Sequence, residues 1–139
     1  MSTEEQATAY LAEAELTLAA AKTIFESAGE RQQLWAQVVK NGYDAIEQAA
    51  SAAIAAQGHA IPRQHPAKIN TFLALYDVEE DLEDRLLYWL QRRSESQYVD
   101  IRGDAITVPH EQFDQSDATE ILDDADRVVT VVTAAVDAA

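Results

Sequence analysis

The stretch Leu82–Ile101, LEDRLLYWLQRRSESQYVDI, decides how the rest of the chain is read. Leu82, Leu86, Trp89 and Leu90 fall on one stripe at helical spacing, so the stretch begins as an amphipathic helix. Carried onward, the stripe meets Arg93, Gln97 and Asp100, with Arg92 and Tyr98 at its flanks. A core-facing stripe that turns polar at one end calls for partners, because a buried ion or amide without one is costly. A working surface is expected here. If the helix instead frays near Ser94, the same groups simply reach water.

Outward from this stretch the chain reads as further helices. Ser2 and Glu5 have the spacing of a capping box, and Leu11, Ala14, Leu18, Ala21, Phe25 and Ala28 form a seam in steps of three and four. This predicts a helix over 3–28, stopped by Gly29. A second is expected over 31–57, ended by Gly58, with the seam Trp35, Val39, Gly42, Ile46, Ala49 and Ala53. Gly42 inside a helix costs about 1 kcal/mol relative to alanine, so close packing or a kink should accompany it. The short link at Gly29–Glu30 would make these two helices an antiparallel hairpin. Pro66 suits the first turn of a third, short helix over 66–76, with Ile69, Phe72, Leu73 and Tyr76 on its apolar side.

Asp77 with Glu80 has the spacing to cap the fourth helix, the stretch quoted above. Residues 102–116 read as an irregular loop, in which Ala105–Val108 could form a short extended piece with no sheet to join. Asp117 with Glu120 then caps a last helix whose seam is Ile121, Ala125, Val128, Val132 and Ala135. Its β-branched run Val128–Thr133 depends on packing to stay helical.

Composition agrees with this pattern. The 139 residues are 47% hydrophobic, largely alanine and aliphatic, with four Gly and three Pro, which argues against a turn-rich β fold. One all-α domain over 1–139, an up-and-down bundle of four to five helices, is expected. No run approaches the roughly 18 apolar residues that span a bilayer, and the acidic start MSTEEQATAY is unlike a secretory signal. A cytoplasmic protein without membrane contact is therefore expected.

The absence of cysteine excludes disulfides, thiol catalysis and thiolate metal sites. His59, His65 and His110 do not pair at the i, i+4 spacing of a helical metal site, so no metal or cofactor is expected. The net charge of −15, with 25 acids against seven Arg and three Lys, disfavours general nucleic-acid binding while allowing a local arginine patch. An acid-rich, lysine-poor surface of this kind also suits a high-salt cytoplasm.

The order of features resembles the HEPN domain family (higher eukaryote and prokaryote nucleotide-binding). The second helix carries Asp44-Ala45 and Gln48-Ala49-Ala50. A connector with Arg63-Gln64-His65 precedes a short helix. The fourth helix closes on Ser96-Gln97-Tyr98-Val99-Asp100, before a final helix rich in Ala and Val.

The resemblance, over residues 5–136, implies a bundle that is often a homodimer and is often partnered by a minimal nucleotidyltransferase in a toxin–antitoxin pair. Toxin-type members are metal-independent ribonucleases with an Arg, four to six residues, then His. Here Tyr98 stands where that His would be, five residues after Arg92 and four after Arg93, with no other fit from Arg102 to His110. A phenol is a poor base at neutral pH. The family's acid and lysine further along the second helix are also absent: Ser51, Ala52, Ala53 and Ile54 follow Gln48-Ala49-Ala50.

The leading expectation is therefore an interaction or nucleotide-binding module, and the missing histidine weighs against an enzyme without deciding the point. A divergent ribonuclease using Arg93 with Tyr98 or His65, or a structural oligomer without ligand, are the alternatives. Arg92 and Arg93 would meet a nucleotide phosphate or a partner's acids. Gln97 and Asp100 would line the same surface, and Tyr98 would be a hydroxyl for a partner nucleotidyltransferase to modify. His65 would face an anion at a helix start. His59 and His110 are expected in loops, and Trp35 and Trp89 in the core or a dimer seam.

Overall fold

The computed structural model describes residues 2–28 and 34–139. The expected stop at Gly29, the Gly29–Glu30 link and the start of the second helix at 31 lie outside the described residues. The first helix, α1 (Thr3–Ser27), begins where Ser2 Oγ accepts the Glu5 backbone N–H at 3.1 Å. It buries Ala14, Leu18 and Ala21 on the expected seam, along with Ala7. The second, α2 (Trp35–Ala56), buries all six seam residues. Phe25 of α1 and Trp35 of α2 meet with ring centroids 5.3 Å apart.

Helix α3 (His65–Leu75) holds Pro66 in its first turn and buries Ile69 and Phe72. The Tyr76 hydroxyl, just beyond α3, donates to the Ala53 carbonyl at 2.6 Å and so ties this end to α2. Helix α4 (Glu80–Gln97) continues past Ser94 without fraying. The expected Asp77 cap is not used. Glu79 is the N-cap without a side-chain bond, and Glu80, Asp81 and Glu83 place acidic charge at the positive end of the helix. The buried stripe runs Leu82, Leu86, Trp89 and then Ser96, with Arg93 half-buried between them. Asp100 is not on it, because the helix ends at Gln97 and Tyr98 is extended at the C-cap.

The expected loop contains a β-hairpin. β1 (Asp100–Arg102) and β2 (Ala105–Thr107) pair antiparallel, with Asp100 opposite Thr107, Ile101 opposite Ile106 and Arg102 opposite Ala105. Asp100–Arg102 is thus the strand that Ala105–Thr107 lacked in the sequence reading. Gly103 makes the reversal at φ +62°, a conformation that favours glycine. A single turn, α5 (Pro109–Gln112), leads into α6 (Gln115–Ala138).

The cap of α6 is Asp114, one turn before the expected Asp117. Asp114 is extended, as an N-cap must be, and accepts the Asp117 N–H at 3.0 Å, while Asp117 accepts the Asp114 N–H at 3.0 Å. Along α6 the hydroxyls of Thr130 and Thr133 bond back to the carbonyls of Asp126 and Val129 at 2.9 and 2.7 Å, and Val128 and Val132 are buried. Packing therefore holds the β-branched run in the helix.

Among the described residues the result is an all-α bundle of six helices, one of them the single turn α5, plus the small hairpin. Helix α2 is its axis: it runs against α1 and α6 and also touches α3, α4 and α5. Its one glycine shows why α6 comes so near. A Cβ on Gly42 would lie 2.8 Å from Ile121 Cγ1, so close packing is what accompanies the missing side chain. No helix among the described residues is long and apolar enough to cross a membrane.

Candidate functional site at the polar end of α4

Helix α2 is apolar all round except on one side. Lys40, Asp44, Glu47 and Ser51 recur in steps of four, three and four, which puts them on one face, with Tyr43 and Gln48 beside them. This polar face meets α3 through Glu47. The Glu47 carboxylate is buried, and His65 Nδ1 lies 2.7 and 2.8 Å from its two oxygens. Lys68 Nζ stands 3.7 Å away. The anion that His65 meets at the start of α3 is thus the protein's own carboxylate.

Arg93 joins the same seam from α4. Burial pushes the Asp44 carboxyl above its ordinary value of 3.8; the Lys40 charge opposes this, Glu47 adds to it, and Arg93 and His65 oppose it more weakly. The Tyr43 phenol is pushed far up, first by burial and then by the Glu47 carboxylate, and stays protonated. Three further buried polar atoms, Gln48 Oε1, Ser51 Oγ and Arg93 Nε, have no hydrogen-bond partner among the described residues. So His65 and Arg93, 28 positions apart in sequence, converge on one seam of α2.

Arg92 points elsewhere and is fully engaged. Its guanidinium donates to Tyr88 Oη at 2.6 Å and the Gln112 carbonyl at 2.8 Å, pairs with Asp117 at 3.5 Å and Glu95 at 3.6 Å, and lies 4.3 Å from the Phe113 ring centroid. It clamps α4 to α5 and the start of α6. On that side an open cavity of about 660 Å³ is lined by Gln91, Ser94, Tyr98, Asp100, Arg102 and Gln112, among others. Tyr98 is 55% exposed there, and Asp100 accepts from Arg102 Nε at 2.8 Å. Arg93 and the half-buried Gln97 are not among the lining residues.

The polar end of α4 therefore carries two distinct places. An inner seam holds His65, Glu47, Asp44, Tyr43 and Arg93, and an outer cavity holds Tyr98, Asp100 and Arg102. The regular 40–44–47–51 spacing was the available signal for the seam. Arg102 as a cavity cation had no signal, because its position follows from a hairpin whose three-residue strands pair only with each other. Among the described residues no group of His, Cys, Asp or Glu is arranged to hold a metal ion.

The Asp44 shift gives a testable sign. A carboxyl whose pKa is raised on folding binds its proton more tightly in the folded chain, so the charged form opposes the fold. Its effect is absent below the unfolded value and grows as pH rises through the folded value. Asp44→Asn should accordingly raise the thermal midpoint at pH 7, and the gain should vanish as pH falls towards 3.8 and below. Thermal melts of both proteins across pH 3–7 check this; an equal offset at every pH would show another origin.

The chain is thus an alanine-rich all-α bundle whose fourth helix ends beside a buried polar seam and a tyrosine-bearing cavity. Comparison with known proteins gives the family. The HEPN domain model matches residues 7–135, nearly the whole chain, and the protein belongs to the HEPN domain family. No curated protein matches it.

Proposed function

We propose that this HEPN domain is a cytoplasmic, dimeric interaction and nucleotide-binding module, partnered by a minimal nucleotidyltransferase in a toxin–antitoxin type pair. The observation that carries the reading is Tyr98, an exposed hydroxyl on the wall of an open cavity that also holds Arg102. A nucleotidyltransferase needs an accessible acceptor oxygen. Attack by Tyr98 Oη on an α-phosphate, with pyrophosphate leaving, needs a cation near the transferring group, and Arg102 is the one on that wall. The tyrosine also replaces the histidine on which ribonuclease chemistry would depend.

The ribonuclease alternative has one observation in its favour: His65 and Arg93 share the inner seam. Its difficulty is that Glu47 engages His65 at both oxygens. Titration with ATP, alongside an RNA cleavage assay, separates the readings. Arg102→Ala should weaken nucleotide binding about tenfold, the usual scale of one charge-assisted contact. Arg93→Ala should leave binding unchanged, and no form should cleave RNA. Cleavage by the parent chain that Arg93→Ala abolishes would establish the ribonuclease instead, and no nucleotide binding at all would favour a structural oligomer.

A further inference from the structure

Among the described residues six large apolar side chains are exposed: Tyr10, Leu16, Tyr98, Val99, Ile101 and Ile106. Four of them fall within nine positions, on and beside the β1–β2 hairpin. Strand alternation shows why. Asp100, Arg102 and Thr107 line the cavity against α4, so their face of the ribbon looks towards the body. Ile101 and Ile106, paired across the strands, emerge on the opposite face and are 67% and 63% exposed. Val99, at the root, is 58% exposed and lines the cavity with Tyr98, so the outer face is the isoleucine pair. The ribbon carries its polar side chains on the face that lines the open cavity and its isoleucine pair on the other, and both faces reach water. A two-stranded ribbon of this length is marginal on its own, and a partner covering the isoleucine pair would hold it.

We propose that the outer face of the hairpin docks a partner protein whose contact surface is apolar at its centre and rimmed by lysine or arginine. Charge chooses that partner. Asp104 at the turn and Glu111 beyond β2 carry exposed negative charge, Glu95 and Asp100 lie on the cavity side paired with Arg92 and Arg102, and the whole chain carries −15. A second copy would bring the same acids to the contact. The apolar face, on the order of 300 Å², is also well short of the roughly 800 Å² per side of a stable dimer. An anionic bilayer is repelled by the same charge. The surface acts whether or not a nucleotide occupies the cavity behind it, so it goes beyond the proposed function.

The test titrates the full chain with two amphipathic helical peptides that share one leucine face, one carrying lysines and the other glutamates on the polar side. The lysine peptide should bind, with amide shifts centred on residues 98–108, and the glutamate peptide should not. Ile101→Ser with Ile106→Ser leaves the charge unaltered and should weaken the lysine peptide at least tenfold. Asp104→Lys, which keeps the isoleucines, should weaken it several-fold. Equal affinity of the lysine peptide for the parent and the double serine variant would reduce the contact to general charge attraction and overturn the proposal. Two other results would also overturn it: a sedimentation dimer, or binding to zwitterionic vesicles, that the double variant abolishes.

Discussion

Asp124→Ala is expected to destabilise the fold by about 3 kcal/mol, a large share of the roughly 5–15 kcal/mol that holds a domain of this size together. Asp124 is a buried carboxylate on α6. It accepts from Trp89 Nε1 at 2.7 Å and Arg85 Nε at 2.9 Å, both on α4, and Arg127 Nη1 is 3.9 Å away. Removing it leaves the indole N–H of the buried Trp89 with no acceptor and takes the Arg85 guanidinium's closest partner. Arg85 keeps Glu120 at 3.3 Å and its place over the Tyr88 and Trp89 rings, at 4.7 and 5.1 Å, which limits the loss. Asp124→Asn keeps one oxygen for Trp89 and should cost less than half as much. Urea unfolding at fixed salt measures both. The loss should change little with ionic strength, since the group is screened weakly where it is buried. A difference under about 0.5 kcal/mol, the scale of ordinary surface changes, would show that α4 is held by packing alone. The same contact fixes Trp89 one turn before Arg93, so the site depends on it.

Gly42 and Ile121 should show a reversal of sign. In the parent chain Gly42→Ala gains about 1 kcal/mol of helix propensity. It also drives a Cβ to 2.8 Å from Cγ1 and 3.2 Å from Cγ2 of Ile121, a fully buried side chain branched at that point. Overpacking of this kind costs about 1–3 kcal/mol, so the net effect should be destabilising. Ile121→Ala alone should cost about 2–5 kcal/mol through lost burial and the cavity left behind. With Ile121 cut back to its Cβ, which would stand 3.6 Å away, the clash is gone. Gly42→Ala should then stabilise. Chemical denaturation of the four proteins of this cycle gives the coupling, and purely additive effects would contradict the close approach of α2 and α6.

The parts of the fold that were legible in the sequence are those set by a repeated apolar pattern. The seams of α1, α2 and α6, the stripe Leu82–Leu86–Trp89 and the compensation for Gly42 all follow from periodicity and side-chain size. Local competition between caps was harder to read. Asp114 and Asp117 both offer a capping carboxylate at the start of α6; Asp114 is the extended one, and Asp117 already lies in the first turn. The hairpin was missed because its strands are three residues long and pair only with each other. The hairpin takes Asp100 off the α4 stripe, sets Arg102 on the cavity wall and turns Ile101 and Ile106 outward. In the site, Arg93 at the polar turn of the stripe is half-buried. The long-range convergence with His65 and Glu47 depends on how α3 folds back over α2, which no local pattern encodes.

The central claim, a HEPN module served by a nucleotidyltransferase, is tested most directly by affinity capture of the tagged chain from its own cells at their native ionic strength. Mass spectrometry would follow, both of the bound proteins and of the peptide carrying Tyr98. The account predicts a stoichiometric small nucleotidyltransferase and a nucleotidyl group on Tyr98 that a Tyr98→Phe chain lacks. A clean homo-oligomer, with no such partner and an unmodified Tyr98, would contradict it.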